Sequence, residues 1–337
     1  MKRKIIITIL ITVLIIPQLT SCLKKSDEGY SANTFALDTV CGITIYGEND
    51  NVAQEVISKA FKEITRYEKL LSRTIEGSDV DKINKSCGEE VEVSDEVIEI
   101  IEEALNFSDL TKGAFDVSIG KVSSLYNFRD GTSLPSDEEI EKAINHIDFR
   151  KIKINGNKVS LLDPDMMIDL GAVAKGYIAT KIAEYISSFG IENAVINLGG
   201  NIVAIGDKGK DGYTIGIKNP LNEEGGILGT FNGEDITIVT SGTYERYIEV
   251  QGKKYHHVLD PKTGYSKDTD LVQASVVTDK NNGAKADCLS TVLLLLGSEE
   301  GLEFMENIDY AEAILLTKDG KVICTNENTE FDSWIEE

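Results

Sequence analysis

Positive charge is scarce in this chain. Its 34 Lys and Arg face 57 Asp and Glu, for a formal net charge of −23 at neutral pH. That balance argues against nucleic-acid binding, which depends on basic patches that neutralise phosphates. It also argues against adhesion to anionic lipid by charge alone. An anionic substrate such as a nucleotide would need a local metal ion or a few placed lysines. Histidine and cysteine are sparse as well. With three His, five Cys and no CxxC pair, a structural zinc site is not expected. Cys22, Cys41, Cys87, Cys288 and Cys324 show no spacing that selects a disulfide, and buried thiols are the default expectation. Low-complexity tracts, internal repeats and the GxxxxGK[ST] phosphate loop are absent. No Pro/Ser-rich linker divides the chain after residue 35.

A long hydrophobic run is also missing. Residues 5–16 are apolar, but a membrane span needs about 20 residues. Preceded by Lys2, Arg3 and Lys4, the run fits the core of a signal peptide. Leu19-Thr20-Ser21-Cys22 follows and resembles the lipobox of bacterial lipoproteins; the other reading is an ordinary signal peptide with a chance cysteine. The lipobox reading implies cleavage before Cys22, lipidation of its thiol and a second acyl group on the new amine. One acyl chain alone binds a membrane only marginally. The expected organisation is a signal segment over 1–21, a flexible tether over 22–34 and a catalytic domain over 35–337. The mature protein would sit on the extracytoplasmic face of the cell membrane, held by its lipid. Loss of three basic residues with the signal deepens the charge from −23 to about −26.

What is present is an irregular alternation of helix and strand patterns. Helices are expected over 52–71, 94–110 with Ser94 as cap, 136–146 with a Ser136/Glu139 capping box, 173–189 and 284–296. The 173–189 helix should bury Ile178, Ile182, Tyr185 and Phe189. Strands are expected over 35–46, 166–170, 194–198, 213–218, 236–240, 244–250 and 254–259. Hairpins are expected around Asn155-Gly156-Asn157 and Lys318-Asp319-Gly320. The pattern is that of an α+β protein with mixed or antiparallel sheets flanked by helices.

Five segments set Gly or Ala beside Asp, Lys, His or Thr where an element ends. Gly113-Ala114-Phe115-Asp116 reads either as a helix end or as a turn that admits a flat ligand. In residues 169–177 (DLGAVAKGY) Asp169 ends a strand, small residues turn, and Lys175 falls in the first helical turn, where anions bind. Asn197-Leu198-Gly199-Gly200-Asn201 reads as a tight turn. His256 and His257 should point to opposite faces if the segment is a strand, so one of them can face a site as a general base. Asp287 and Thr291, four apart, share a helix face and offer hard oxygen ligands suited to Mg²⁺; Asp287 could instead only complement the helix dipole.

In order, GAFD (113–116), DLGAVAKGY (169–177), NLGGN (197–201), TSGTYER (240–246), HHVLDPKTG (256–264) and ADCLSTVL (286–293) resemble the ApbE family of FAD:protein FMN transferases. The resemblance implies a T-fold-like, two-lobed single catalytic domain that uses FAD as substrate and Mg²⁺ as cofactor. It implies transfer of FMN to a Ser or Thr hydroxyl of an acceptor protein, with release of AMP. Such acceptors would be exported flavoproteins or membrane redox subunits bearing a Ser/Thr flavinylation motif. By motif position, Cys41, Ala114, Phe115, Asp116, Asp169, Lys175 and Val258 should meet the cofactor, Val258 through its backbone. The Ala172 carbonyl, Asp287, Ser290 and Thr291 should bind the metal, and His257 should act as base. The chain departs from the family pattern at Cys41-Gly42-Ile43, where Met-Gly-Thr is usual, at Thr74, where an aromatic is common, and at Thr243, where Asp is common. Two other readings use the same segments: a Mg²⁺-dependent FAD pyrophosphatase, and a flavin-binding lipoprotein without catalysis.

Overall fold

Nearly every strand in this protein runs opposite to its neighbour. The computed structural model describes residues 29–208, 212–222, 225–326 and 331–333. The expected signal segment and Cys22 lie outside them. Eight strands form the main sheet, in the order Tyr30–Ala36, Thr39–Ile45, Ala194–Leu198, Asn201–Ile205, Ile236–Gly242, Leu271–Asp279, Ala311–Thr317 and Val322–Cys324. All of their pairings are antiparallel.

Both faces of the sheet are covered, and the sequence shows why. Along Ala311–Thr317, Ala313 and Leu315 face one layer while Ile314 and Leu316 face the other. The first layer holds the helices Asp50–Leu71, Ala174–Ser187 and Gly283–Met305. The helix Asp50–Leu71 begins at Asn49, whose side chain accepts the Asn51 N–H, and it buries Val56, Ala60, Ile64, Tyr67 and Leu71 on one stripe. Each buried Val, Ile or Leu of this stripe contributes about 1.5–3 kcal/mol of burial free energy. The second layer is a small sheet of Tyr213–Lys218, Ile227–Gly233 and Phe331–Ser333, packed through Tyr213, Ile215 and Phe231. A separate apolar cluster of Val122, Tyr126, Ile140, Ala143, Ile248 and Leu259 makes a second lobe. It joins the helix Asp137–Ile144 to the hairpin Tyr247–Val250 and Lys253–His256. The protein is therefore α+β, with an open, antiparallel main sheet.

Several expectations change. Residues 35–46 are not one strand but the end of one hairpin strand, a turn at Leu37 and Asp38 with φ of 54° and 59°, and the second strand Thr39–Ile45. Such a turn usually announces itself as Asn-Gly, and Leu-Asp hides it. The strand Tyr30–Ala36 also takes residues 30–34 from the expected tether. Residues 166–170 form no strand beyond a single bridge between Met167 and Ile119. Instead the Asn84 side chain accepts the Ile168 N–H at 2.8 Å and donates to its carbonyl at 3.0 Å, standing in for a neighbouring strand. The Ser136/Glu139 capping box is present. Ser94 occupies its cap position but makes no side-chain cap bond. Phe189 is 40% exposed rather than buried, stacked edge-on with Tyr185. Of the four thiols in the described residues, all free, Cys41 and Cys288 are buried while Cys87 and Cys324 are exposed.

Candidate active site

A cleft of about 470 Å³ opens between the two lobes. One wall is the turn after the extended segment pinned by Asn84. There Asp169 receives the Arg73 Nε at 3.0 Å and the Ser123 hydroxyl at 2.6 Å on one oxygen, and the Gly171 N–H at 2.9 Å on the other. Burial pushes the Asp169 carboxyl up, but Arg73, Ser123, Gly171 and Arg246 outweigh it and hold it below the usual carboxylate range. Asp169 therefore stays ionised and braces the turn.

Next comes the helix Ala174–Ser187, which starts at Val173 without a capping side chain. Its partner helix, Gly283–Met305, crosses it so closely that a Cβ on Gly176 would lie 2.0 Å from the Gly283 carbonyl oxygen. A Cβ on Gly283 would in turn meet the Gly176 carbonyl oxygen at 2.4 Å. Glycine at both positions is what permits this approach. The contact brings Asp287, 1% exposed, against the neighbouring helix end. Its Oδ2 accepts the Gly176 N–H at 2.9 Å, and its Oδ1 lies 3.7 Å from Lys175 Nζ. Thr291, one turn on, lines the same cleft.

These residues fit a hard cation. A carboxylate so deeply buried needs compensation, and one N–H with a distant ammonium supplies only part of it. The Gly176 N–H would bond the Ala172 carbonyl in a longer helix; because it donates to Asp287 instead, that carbonyl is left available. Carboxylate, carbonyl and hydroxyl oxygens are the donor set for Mg²⁺. Ser290 does not join them. It is fully buried, its hydroxyl bonded to Ser241 at 2.7 Å and donating to the Asp287 carbonyl at 2.9 Å. His146, Asp163 and Asp165 also converge, but none of them lines the cleft, and Asp163 is already paired with His146 and Lys151.

On the opposite wall the hairpin ends at His256, and the two histidines do face apart. His256 Nε2 donates to the Lys267 carbonyl at 3.0 Å, while His257 lines the cleft. The Arg246 carbonyl accepts both the His257 backbone N–H at 3.1 Å and the ring Nδ1 at 3.3 Å. A carbonyl can only accept, so Nδ1 carries the proton and the lone pair is on Nε2. Burial, then the positive charges of Arg246 and Lys175, hold the ring pKa well below the ordinary 6.5. The imidazole is neutral at pH 7, the form a base requires.

The cleft thus gathers Phe115, Asp116, Asp169, Ala172, Lys175, His257, Val258, Asp287 and Thr291. Asp116 is raised by burial, partly offset by the Ser118 and Phe149 bonds that occupy its oxygens. The Val258 carbonyl is taken by the Lys267 N–H, which leaves its own N–H for a ligand. Cys41 and Ala114 are not in the lining. Cys41 is fully buried on the helix-covered face of the main sheet, its thiol bonded to the Ala36 carbonyl at 3.5 Å and pushed up to about 11 by burial. It is a core residue rather than a cofactor contact. Sequence reasoning missed Arg73, Ser123, Glu245 and Arg246, all of which line the cleft. Glu245 and Arg246 stood inside a quoted motif; no local pattern marks Arg73 or Ser123, which reach Asp169 only through the fold.

Comparison with known proteins agrees with this geometry. A family profile described as the ApbE family matches residues 37–315. A FAD:protein FMN transferase of Klebsiella pneumoniae (strain 342) is 34% identical over 304 residues, covering 88% of this chain and 92% of the relative. One of Treponema pallidum (strain Nichols) is 28% identical over 314 residues, covering 87% and 86%. Among solved structures, the ApbE protein of Thermotoga maritima superposes with a TM-score of 0.79 at 30% identity, covering 88% of this chain and 96% of that one. The flavin transferase ApbE of Vibrio cholerae gives 0.74 at 26% identity, covering 87% and 96%. The chain belongs to the ApbE family.

Proposed function

We propose that this protein is a Mg²⁺-dependent FAD:protein FMN transferase, moving the FMN part of FAD onto a Ser or Thr hydroxyl of an acceptor protein and releasing AMP. The observation that carries this reading is one cleft with the buried Asp287 carboxylate and Lys175 on one wall and a neutral His257 on the other. Phosphoryl transfer asks little else of a protein than positioning and charge neutralisation.

Asp287, the Ala172 carbonyl and Thr291 would hold Mg²⁺, which when bound neutralises diphosphate charge. Lys175 adds a fixed positive charge beside that position. His257 Nε2 takes the proton of the acceptor hydroxyl as its oxygen bonds to the FMN phosphorus. The bond from that phosphorus to the bridging oxygen breaks, and AMP leaves with the bridging oxygen. Asp169, braced by Arg73 and Ser123, keeps the Gly171–Val173 turn in place while this happens.

The lipobox-like Leu19-Thr20-Ser21-Cys22 supports a lipid anchor at the extracytoplasmic face of the cell membrane. FAD would then be needed outside the cytoplasm, and acceptors would be exported flavoproteins or membrane redox subunits with a Ser/Thr flavinylation motif. The test is in-gel flavin fluorescence of exported candidate acceptors after incubation with the protein, FAD and Mg²⁺. A fluorescent acceptor band that needs all three supports transfer. Free FMN formed equally fast without any acceptor would make the protein a pyrophosphatase, and intact FAD in every arm would make it a binder.

A further inference from the structure

The cleft contains a cation that the mechanism above does not use. Arg246 lines it directly beside His257. The two residues stand at opposite feet of one hairpin, because Tyr247 pairs with His256 in the last rung of its ladder. Two bonds from His257 to the Arg246 carbonyl fix their separation. Both residues line the same cleft, and the Arg246 charge is close enough to act on the His257 ring.

The three cations in the cleft are differently committed. Arg73 is bonded to Asp169 at 3.0 Å, and Lys175 leans on Asp287 at 3.7 Å. Among the described residues, Arg246 makes no ion pair, although its charge reaches the Asp169 and Glu245 carboxylates of the same cleft. An arginine in a cleft and next to a base, near the Asp169 and Glu245 carboxylates but bonded to neither, suits an anion that arrives with the substrate. Guanidinium matches a phosphate with two parallel N–H bonds, which a lysine cannot do.

We propose that Arg246 grips the non-bridging oxygens of the FMN-side phosphoryl group of FAD, holding it in line between the acceptor hydroxyl and the departing AMP. This rests on the transferase reading and adds a substrate contact to it. The assignment divides the work in the cleft. Lys175, with the metal that Asp287 would hold, would supply positive charge from one wall, and Arg246 would hold the group that is transferred from the other. It also gives the hairpin a purpose, since one element then presents both the base and the phosphate clamp.

The experiment compares riboflavin, FMN and FAD binding to the wild type, Arg246→Gln and Arg246→Lys by quenching of flavin fluorescence, alongside turnover of FAD with Mg²⁺ and acceptor. Riboflavin carries the ring system without phosphate. In the Gln variant FMN and FAD affinities should fall at least about tenfold, as expected for a lost charged hydrogen bond, while riboflavin affinity stays put. The Lys variant should recover part of the loss. Should the Gln variant fail to fold, the Lys variant still decides: its FMN affinity should lie below wild type with riboflavin unchanged. Equal losses for all three flavins, or no selective loss of FMN, would overturn the proposal. A wild-type protein that never labels an acceptor would instead remove the transferase reading, and the FMN-against-riboflavin comparison would still stand on its own.

Discussion

The Gly176 N–H donates to Asp287 Oδ2 at 2.9 Å, tying the start of one helix to the start of another 111 residues away in the chain. The bond serves two ends. It orients the carboxylate toward the cleft, and it diverts an amide that would otherwise cover the Ala172 carbonyl.

Replacing Asp287 with Asn keeps an oxygen that accepts from Gly176 and removes the charge. The fold should survive with little change in melting temperature. Mg²⁺-dependent FAD turnover should fall by about 100-fold or more, the scale of several kcal/mol supplied by a bound metal. Asp287→Ala should also lose about 1–3 kcal/mol of stability, because the Gly176 N–H is left without a partner. Turnover of Asp287→Asn close to wild type would remove Asp287 from the metal site.

Gly176→Ala tests the helix crossing itself. The new Cβ would meet the Gly283 carbonyl oxygen at 2.0 Å and Asp287 Cβ at 2.8 Å, so the backbones must separate. Overpacking of this kind costs about 1–3 kcal/mol. The denaturation midpoint should drop, and metal-dependent activity should fall with it. An unchanged midpoint would mean that the two helices slide apart freely.

The depressed pKa of His257 sets a pH dependence. Burial first and Arg246 second hold its folded pKa below 6.5, so the base is already deprotonated at neutrality. As pH falls through 6.5, kcat/KM for FAD should stay flat and decline only at lower pH. Stability moves differently. Below 6.5 the unfolded chain takes up a proton that folded His257 refuses, so folding stability is lost as pH falls from 6.5 toward the folded value. His257→Gln should remove that share of the acid sensitivity and slow transfer about 10²–10⁴-fold. An acid limb of kcat/KM at or above pH 6.5 would contradict the depressed pKa.

The N-terminal edge gives a truncation test. A soluble form starting at Gly29 retains the whole strand Tyr30–Ala36, whereas one starting at Phe35 loses the residues that pair with 41–45. The first should be folded and active, and the second should melt lower and expose the Thr39–Ile45 edge. Separately, Cys22→Ala in the full chain should release the protein from membranes without changing turnover. Retention of the Cys22→Ala protein in the membrane fraction would dismiss the lipid anchor.

Much of the molecule was legible locally. Helical stripes, the Ser136/Glu139 box and the 152–161 hairpin follow from spacing and turn residues, and the structure has them. What was hidden depended on distant partners. Leu271–Asp279, a central strand, carries Gln273 and Ser275, which break an apolar pattern. Both are fully buried because the Tyr244 hydroxyl donates to Gln273 and Ser275 bonds Thr240. Cys41 was expected at the cofactor by motif position, yet it alternates with Ile43 and Ile45 on the buried face of its strand. The network on Asp169 needed Arg73 and Ser123, 96 and 46 residues away, and no periodicity connects them.

The hairpin between Arg246 and His257 separates length from chemistry. Its ladder runs from Tyr247 and His256 to Val250 and Lys253, and it turns at Gln251 and Gly252 with φ of 53° and 78°. Register in such a ribbon is preserved when residues are added in pairs, one per strand. The tip can therefore be extended, or made to carry a fluorophore or an affinity handle, while its two feet remain where they are. That makes residues 251–252 a natural attachment point for reporting on the cleft from outside it.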